Sequence, residues 1–342
     1  MPQDVLFLPI SGPRGASSRY RVFQFLPAIA SAGITYSVHL PPGSPGRGIG
    51  RLLTSLRERR EIAGLARSSR SVFVQKRLLP ESRVVALAGA EPLLFDFDDA
   101  LFTSPTGRRS RLAQRRVEGR LRQVLSSARL VTAGNRYLCD FAAQFSRQVI
   151  HLPTVVDGSR YPAKRHLDRS EVVVGWIGHS VNHPYLRDLA DVLQRLAMRC
   201  RMRLLVVSDR DFAIPGVPVE NRRWSEGTEV EDILGMDIGI MPMPDDAWAR
   251  GKCGLKAIQY MAAGIPVVCA AVGANIEIVR NGIDGFCASS PPAWVDNLSE
   301  LCSSVDLRHR MGLAGRQRVQ ENYSLAGMTP LFLDALVRLC RA

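Results

Sequence analysis

Residues 237–288 read DIGIMPMPDDAWARGKCGLKAIQYMAAGIPVVCAAVGANIEIVRNGIDGFCA. Two short apolar runs, Ile238–Met241 and Pro266–Ala270, have the composition of buried strands, and a glycine-bearing loop and a helix start follow each. In a parallel sheet this arrangement makes an anion site. The first backbone N–H groups of the helix lack partners inside it and, with the helix dipole, point at one spot beyond the strand end. Gly251, Gly254 and Gly273 keep the backbone approachable, Lys252 and Lys256 add positive charge, and Gln259 and Glu277 can hydrogen-bond sugar hydroxyls.

These residues carry a resemblance over about fifty positions. The stretch resembles the donor-site signature of glycosyltransferase family 4, retaining sugar-nucleotide-dependent enzymes of the GT-B fold. It is similar in particular to a bacterial subgroup reading RGKCGxKxIQYMAxGxPVV, which matches residues 250–268. The resemblance implies an α/β protein of two facing, doubly wound Rossmann-like lobes, a nucleoside diphosphate-sugar donor, an acceptor hydroxyl, and no cofactor or bound metal. Two departures stand out. Many members carry two glutamates eight positions apart across this loop and helix, where this chain has Gly251 and Gln259. After the strand ending at Ile177, where relatives place Arg and Lys, this chain has His179, Ser180, Asn182 and His183.

Composition agrees with such a chain. Its 342 residues, 46% hydrophobic, suffice for two cores. No apolar run approaches the roughly eighteen residues that span a bilayer, and the N-terminus lacks a basic region followed by a long apolar core, so a cytoplasmic protein is expected. Seven scattered cysteines, with no CxxC pair, read as reduced thiols rather than as a zinc site or disulfide frame. The net charge of +13 is unevenly distributed: residues 1–155 hold 23 Lys and Arg against 10 Asp and Glu, and the remainder holds 22 of each. Much of the excess lies in 108–129, GRRSRLAQRRVEGRLRQVLSSAR from 107, where Leu112, Val117, Leu121, Val124 and Leu125 fall near one helical face. Such a helix suits an anionic membrane surface at the inner face of the plasma membrane or an anionic acceptor. The alternative is a solvated helix packing its stripe on its own domain. Nucleic acid is not expected, because no aromatic-interleaved platform accompanies the charge.

Strand and helix patterns alternate along the chain, which argues for a parallel sheet in each of two lobes. The first lobe, 1–155, has strand patterns at Val5–Pro9, Ile34–Leu40, Ser71–Gln75, Pro92–Asp96, Leu130–Thr132 and Val149–Leu152. Helices are expected at 18–32, 52–66, between the third and fourth strands, and at 137–145, with a mobile Gly/Pro-rich stretch at 43–50. Two prolines and no periodicity in 151–169 place a hinge at 156–170. The donor lobe, 171–328, has strand patterns at Val172–Ile177, Leu204–Ser208, Val217–Asn221, Asp237–Met241, Val267–Ala270 and Phe286–Cys287, with a helix at 184–198. The resemblance implies that a final helix in 329–342 crosses back to the first lobe.

Within the signature, Lys252 is the expected stabiliser of the leaving diphosphate and Lys256 the second, because N–H groups and a lysine aimed at developing charge lower the barrier. Two surface lysines at a helix start are the alternative. Gly178, Ser180 and Asn182 are expected at the phosphates, with a helix-capping Asn182 equally plausible. Asn275 and Glu277 of VGANIE face the sugar or phosphate, unless Glu277 is an ordinary dipole partner. Trp224 and Glu226 occupy the place resembling the base site, and Trp224 as plain core is the alternative. In the first lobe, Gly12, Gly15, Ser18, Arg19 and Arg21 of SGPRGASSRYR resemble a glycine loop, with the arginines available to phosphate. Asp96, Asp98 and Asp99 cluster at a strand end, where carboxylates raise one another's pKa, so Asp98 or Asp99 could orient or deprotonate an acceptor hydroxyl. A metal site or a helix cap are the other readings.

Two rival classes share the architecture. A nucleotide-sugar epimerase would need no acceptor, and a noncatalytic sugar-nucleotide-binding protein would explain the missing acidic pair. An NAD-dependent dehydrogenase lacks support, because no G-x-G-x-x-G follows a first strand.

Overall fold

The computed structural model describes residues 3–42, 49–80, 87, 92–104 and 109–340. Most of the stretch expected to be mobile at 43–50, and most of the helix expected between the third and fourth strands, lie outside these residues. The chain divides into two compact units: residues 1–154, 251–253 and 328–342 form the first, and 155–250 with 254–327 the second.

The first unit is built on six parallel strands: β1 (Val5–Leu8), β2 (Tyr36–Val38), β3 (Val72–Gln75), β4 (Leu93–Phe97), β5 (Leu130–Ala133) and β6 (Val149–His151). Their order is β2-β1-β3-β4-β5-β6. All residues of β1, β3, β4 and β5 are buried, as expected of near-continuous apolar strands covered on both faces. The helix expected at 18–32 is broken into Ala16–Arg21, a 3-10 turn at Phe23–Phe25 and Leu26–Ser31. Pro27 sits in the first turn of the last piece, where its missing N–H costs nothing. The final helix, Leu325–Cys340, begins earlier than expected, and its residues from 328 onward group with this unit. Phe332 carries the contact, stacking on Phe25 at 4.3 Å between ring centroids and meeting Phe73 at 5.6 Å.

The second unit has β7 (Val172–Ile177), β8 (Met202–Ser208), β9 (Val219–Arg223), β10 (Ile238–Met241), β11 (Val267–Ala270) and β12 (Gly285–Ala288). They are parallel, in the order β12-β11-β10-β7-β8-β9. The chain lays down β7, β8 and β9 in one direction and then returns to place β10 on the other side of β7. Order reverses there, and in open α/β sheets ligands bind in the crevice beyond the strand ends at such a point. In the first unit the same reversal falls between β1 and β3. The helix expected at 184–198 is two pieces, His183–Arg187 and Ala190–Arg199, and the latter packs on Pro291–Ser303.

The 156–170 segment, expected to be a hinge, is pinned into the second unit. Lys164 N–H donates to Ala263 O at 2.8 Å, the Lys164 ammonium reaches Asp237 at 3.1 Å, and Tyr161 is buried. Pro162 there marks an irregular path over the unit rather than a free linker. Among the described residues no helix is long and apolar enough to cross a membrane.

Candidate functional site

At the reversal in the second unit, β7 runs into Gly178 and β10 into the loop that starts the helix Leu255–Ala262. Gly254 caps that helix with φ +67°, and a Cβ there would lie 2.1 Å from Ile278 Cδ1. Gly273, at φ +54°, has the Arg250 backbone where its own Cβ would be, with Arg250 O 2.8 Å away. The two glycine-bearing loops are thus pressed backbone to backbone, which only glycine permits at these angles. Lys256, in the first turn, holds its ammonium 4.2 Å from the Trp176 ring centroid. A Cβ on Gly178 would lie 2.6 Å from Lys256 Nζ and 2.9 Å from Trp176. Strand end, helix start and lysine therefore converge.

The neighbouring polar residues sort differently. Gln259 is 3% exposed and donates its side-chain amide to Glu229 Oε1 at 3.0 Å and to the Tyr161 hydroxyl at 3.2 Å. Glu229, also 3% exposed, accepts from Trp224 Nε1 at 2.9 Å. Gln259 is therefore a buried link between two helices and Trp224, and its donor end is committed to protein. Trp224 itself is half-buried, intermediate between base platform and core, and Glu226 is exposed. Asn275 is fully buried and bonds Ala270 O at 3.0 Å, so it shapes its loop instead of facing solvent. Glu277 is half-buried, and its carbonyl accepts from Arg318 at 3.0 Å. Ser180 donates its N–H and hydroxyl to Asp209 at 2.6 and 2.9 Å, which pulls the Asp209 pKa down to about 2. Asn182 makes no side-chain cap.

In the first unit a second cluster lies at the ends of β3 and β4. The Ser17 hydroxyl donates to Asp98 at 2.8 Å, and Gln75 orients Ser17 from 2.8 Å. Ser18, fully buried, donates to Gln75 Oε1 at 2.9 Å and accepts from Ser11 N–H at 3.1 Å. Gly15 closes the loop onto Gly12 O at 3.0 Å, and a Cβ on it would strike Ser11 Oγ. Gly12 has room, the nearest atom to a Cβ being Leu40 Cδ1 at 3.9 Å. Lys76 inserts its ammonium between Asp98, at 3.2 Å, and Asp99. Lys252 also reaches Asp99, at 2.7 Å, while Asn135 holds the Lys252 carbonyl at 2.9 Å. The segment carrying Lys252 belongs to this unit by its contacts.

Three expectations are corrected here. Arg21, expected at a phosphate, is 1% exposed and paired with Asp96 at 0%, while also bonding Leu152 O. Asp96, fully engaged by Arg21 and by the Thr132 hydroxyl at 2.7 Å, is structural. Arg19 is likewise buried, its guanidinium 4.7 Å above the Tyr20 ring. The acidic cluster does not raise the Asp98 pKa. Burial works in that direction, but Lys76, Arg21 and the Ser17 hydroxyl outweigh it and leave Asp98 below its ordinary 3.8. Lys76, Ser17, Gln75 and Glu229 went unnoticed in the sequence. Lys76 stood one residue past a strand pattern, the one available signal. Among the described residues, no group of three or more His, Cys, Asp or Glu is placed to hold a metal ion.

Two doubly wound parallel sheets, with a glycine loop, helix start and lysine at the reversal of the second, define the GT-B class of fold. Solved structures share it across nearly the whole chain. Sucrose-phosphate synthase from Thermosynechococcus elongatus superposes with a TM-score of 0.73 at 15% identity, covering 98% of each chain. HepE from Anabaena, solved in complex with UDP and glucose, gives 0.66 at 14% identity, covering 98% of this chain and 100% of that one. Residues 171–304 match the family model Glycosyl transferases group 1. A D-inositol 3-phosphate glycosyltransferase from Xylanimonas cellulosilytica is 28% identical over 151 residues, 43% of this chain. The chain spans about a third of that relative's length, 32%.

Proposed function

We propose that the protein is a glycosyltransferase that moves a sugar, with retention, from a nucleoside diphosphate-sugar to an acceptor hydroxyl in polysaccharide or glycoconjugate synthesis. The observation that carries this reading is the convergence of Gly178, the Gly254-capped helix start and Lys256 at the reversal of the second sheet. The positive dipole end of a helix and an ammonium there suit a diphosphate, whose charge grows as the glycosidic bond breaks. The UDP and glucose bound to the Anabaena relative support the same donor chemistry.

The acceptor is read as a lipid-linked saccharide at the cytoplasmic face of an anionic membrane. The helix Arg111–Ser127 supports it: Leu121, Val124 and Leu125 are buried, while Leu112 is 68% exposed beside exposed Arg111, Arg115 and Arg116. The first test is thermal unfolding with saturating UDP, GDP, ADP, TDP and NAD. Ligand at a hundredfold its Kd stabilises by about 2.7 kcal/mol, so one nucleoside diphosphate is expected to raise the midpoint, with the shift lost in Lys256→Ala. A shift with NAD alone would overturn the reading, and turnover of the sugar nucleotide without acceptor would favour an epimerase. Unchanged liposome binding at low salt after Arg115→Glu with Arg116→Glu would remove the membrane part.

A further inference from the structure

Lys76 is the one described non-glycine residue with positive φ, at 60°. A lysine gains nothing from that backbone by itself, and residues held there persist only where the surroundings over-determine them. Here the strain has a visible product. It turns the side chain at the end of β3 so that its ammonium, 15% exposed, lies between Asp98 and Asp99, 14% and 13% exposed, while the Lys76 N–H stays on Asp96 O at 2.7 Å. The lysine is more than a neutral filler, because everything charged or hydrogen-bonding around Asp98 acts on its charge. Lys76 and Arg21 approach as cations, Ser17 donates a hydroxyl proton, and the buried Cys253 thiol donates to the Asp98 backbone carbonyl at 3.3 Å. Lys252 neutralises Asp99 from the other direction.

We infer that Lys76 is a positioning residue that keeps the partly exposed Asp98 ionised and aimed, so that Asp98 receives the acceptor hydroxyl as a hydrogen-bond acceptor rather than as a base that takes its proton. The inference rests on the proposed sugar transfer for the identity of that hydroxyl, but the Lys76–Asp98 link stands on geometry alone. An anion held low by a buried cation is a poor proton acceptor and a good fixed dipole partner. Without the cation, burial dominates and Asp98 takes up a proton at higher pH.

The experiment compares wild type, Lys76→Met, Lys76→Arg and Asp98→Asn in two readouts between pH 3 and 8. The first is the calorimetric midpoint, which needs no substrate. The second is kcat/KM for transfer to acceptor. Lys76→Met is expected to move the acid limb of both profiles up by a pH unit or more, with Lys76→Arg returning it toward wild type. Asp98→Asn, nearly isosteric, is expected to lose at least tenfold in kcat/KM at every pH and to lack the limb. A uniform loss in Lys76→Met with unchanged profiles, or full activity in Asp98→Asn, overturns the inference. If wild type transfers no sugar to any acceptor, the functional reading falls. The midpoint profile then decides the Lys76–Asp98 link: a shifted limb upholds it and an unshifted one ends it. Should Lys76→Met fail to fold, Asp98→Asn and Lys76→Arg carry the same decision.

Discussion

Replacing Arg21 by Met separates a structural arginine from a phosphate-binding one. The side chain lies at the bottom of the first unit, 1% exposed against 0% for Asp96, and it holds both carboxylate oxygens as well as Leu152 O. Methionine fills similar volume but leaves Asp96 with the Thr132 hydroxyl as its remaining donor among these contacts. Breaking a buried ion pair from one side costs about 3–5 kcal/mol, because the other charge stays buried and uncompensated. At roughly 2–4 °C per kcal/mol for a domain of this size, the first unit is expected to melt about 6–20 °C earlier. Replacing both partners, Arg21→Met with Asp96→Leu, removes the stranded charge and is expected to recover most of the loss. The assay must see the right unit. All four tryptophans, Trp176, Trp224, Trp248 and Trp294, lie in the second unit, so fluorescence is expected to stay near wild type while calorimetry shows an early transition. Nucleoside diphosphate binding, measured below that transition, is expected to hold within a fewfold. A variant that melts like wild type yet loses binding would refute the buried-pair argument and return Arg21 to the ligand.

Other outcomes follow from single contacts. Gly254→Ala puts a side chain at φ +67° against Ile278 and is expected to cost at least about 1–2 kcal/mol, with a larger relative loss of nucleoside diphosphate affinity, checked by calorimetric titration. Gln259→Glu sets a second carboxylate about 3 Å from Glu229 and is expected to lower the melting midpoint, whereas adding Glu229→Gln restores the donor–acceptor pairing and the midpoint. Phe332→Ala empties the stack on Phe25 and Phe73 and is expected to destabilise the first unit by about 3–5 kcal/mol, read by calorimetry. Burial, and then the Arg187 charge, hold His183 below its ordinary 6.5. A depressed folded pKa gives stability that is full above 6.5 and fades as pH falls toward the folded value, so the second unit is expected to melt earlier at pH 5 than at pH 7, and less so in His183→Gln.

The sequence by itself determined twelve strands in chain order, the split into two parallel sheets and the two glycine loops of the second unit. These are local patterns: an apolar run of four to six residues, a glycine after it, a helix start beyond. Val172–Ile177 and Val267–Ala270 needed no more than their own residues to be placed. Tertiary structure decided what each polar side chain does, because its partner is remote in the chain. Arg21 meets Asp96 75 positions away, Gln259 meets Glu229 at 30, and Lys252 meets Asp99 at 153. An arginine beside a glycine loop reads the same whether it faces solvent or a buried aspartate, since the neighbouring residues are identical in both cases. Lys76 is the sharpest instance. Its residue type gave no warning of a left-handed backbone, and only the packed ends of β3 and β4 bring it between two carboxylates. The linker expected at 156–170 became part of the second unit for the same reason: Ala263, Gly264 and Asp237, which hold Lys164 and His166, lie some seventy to a hundred residues further on.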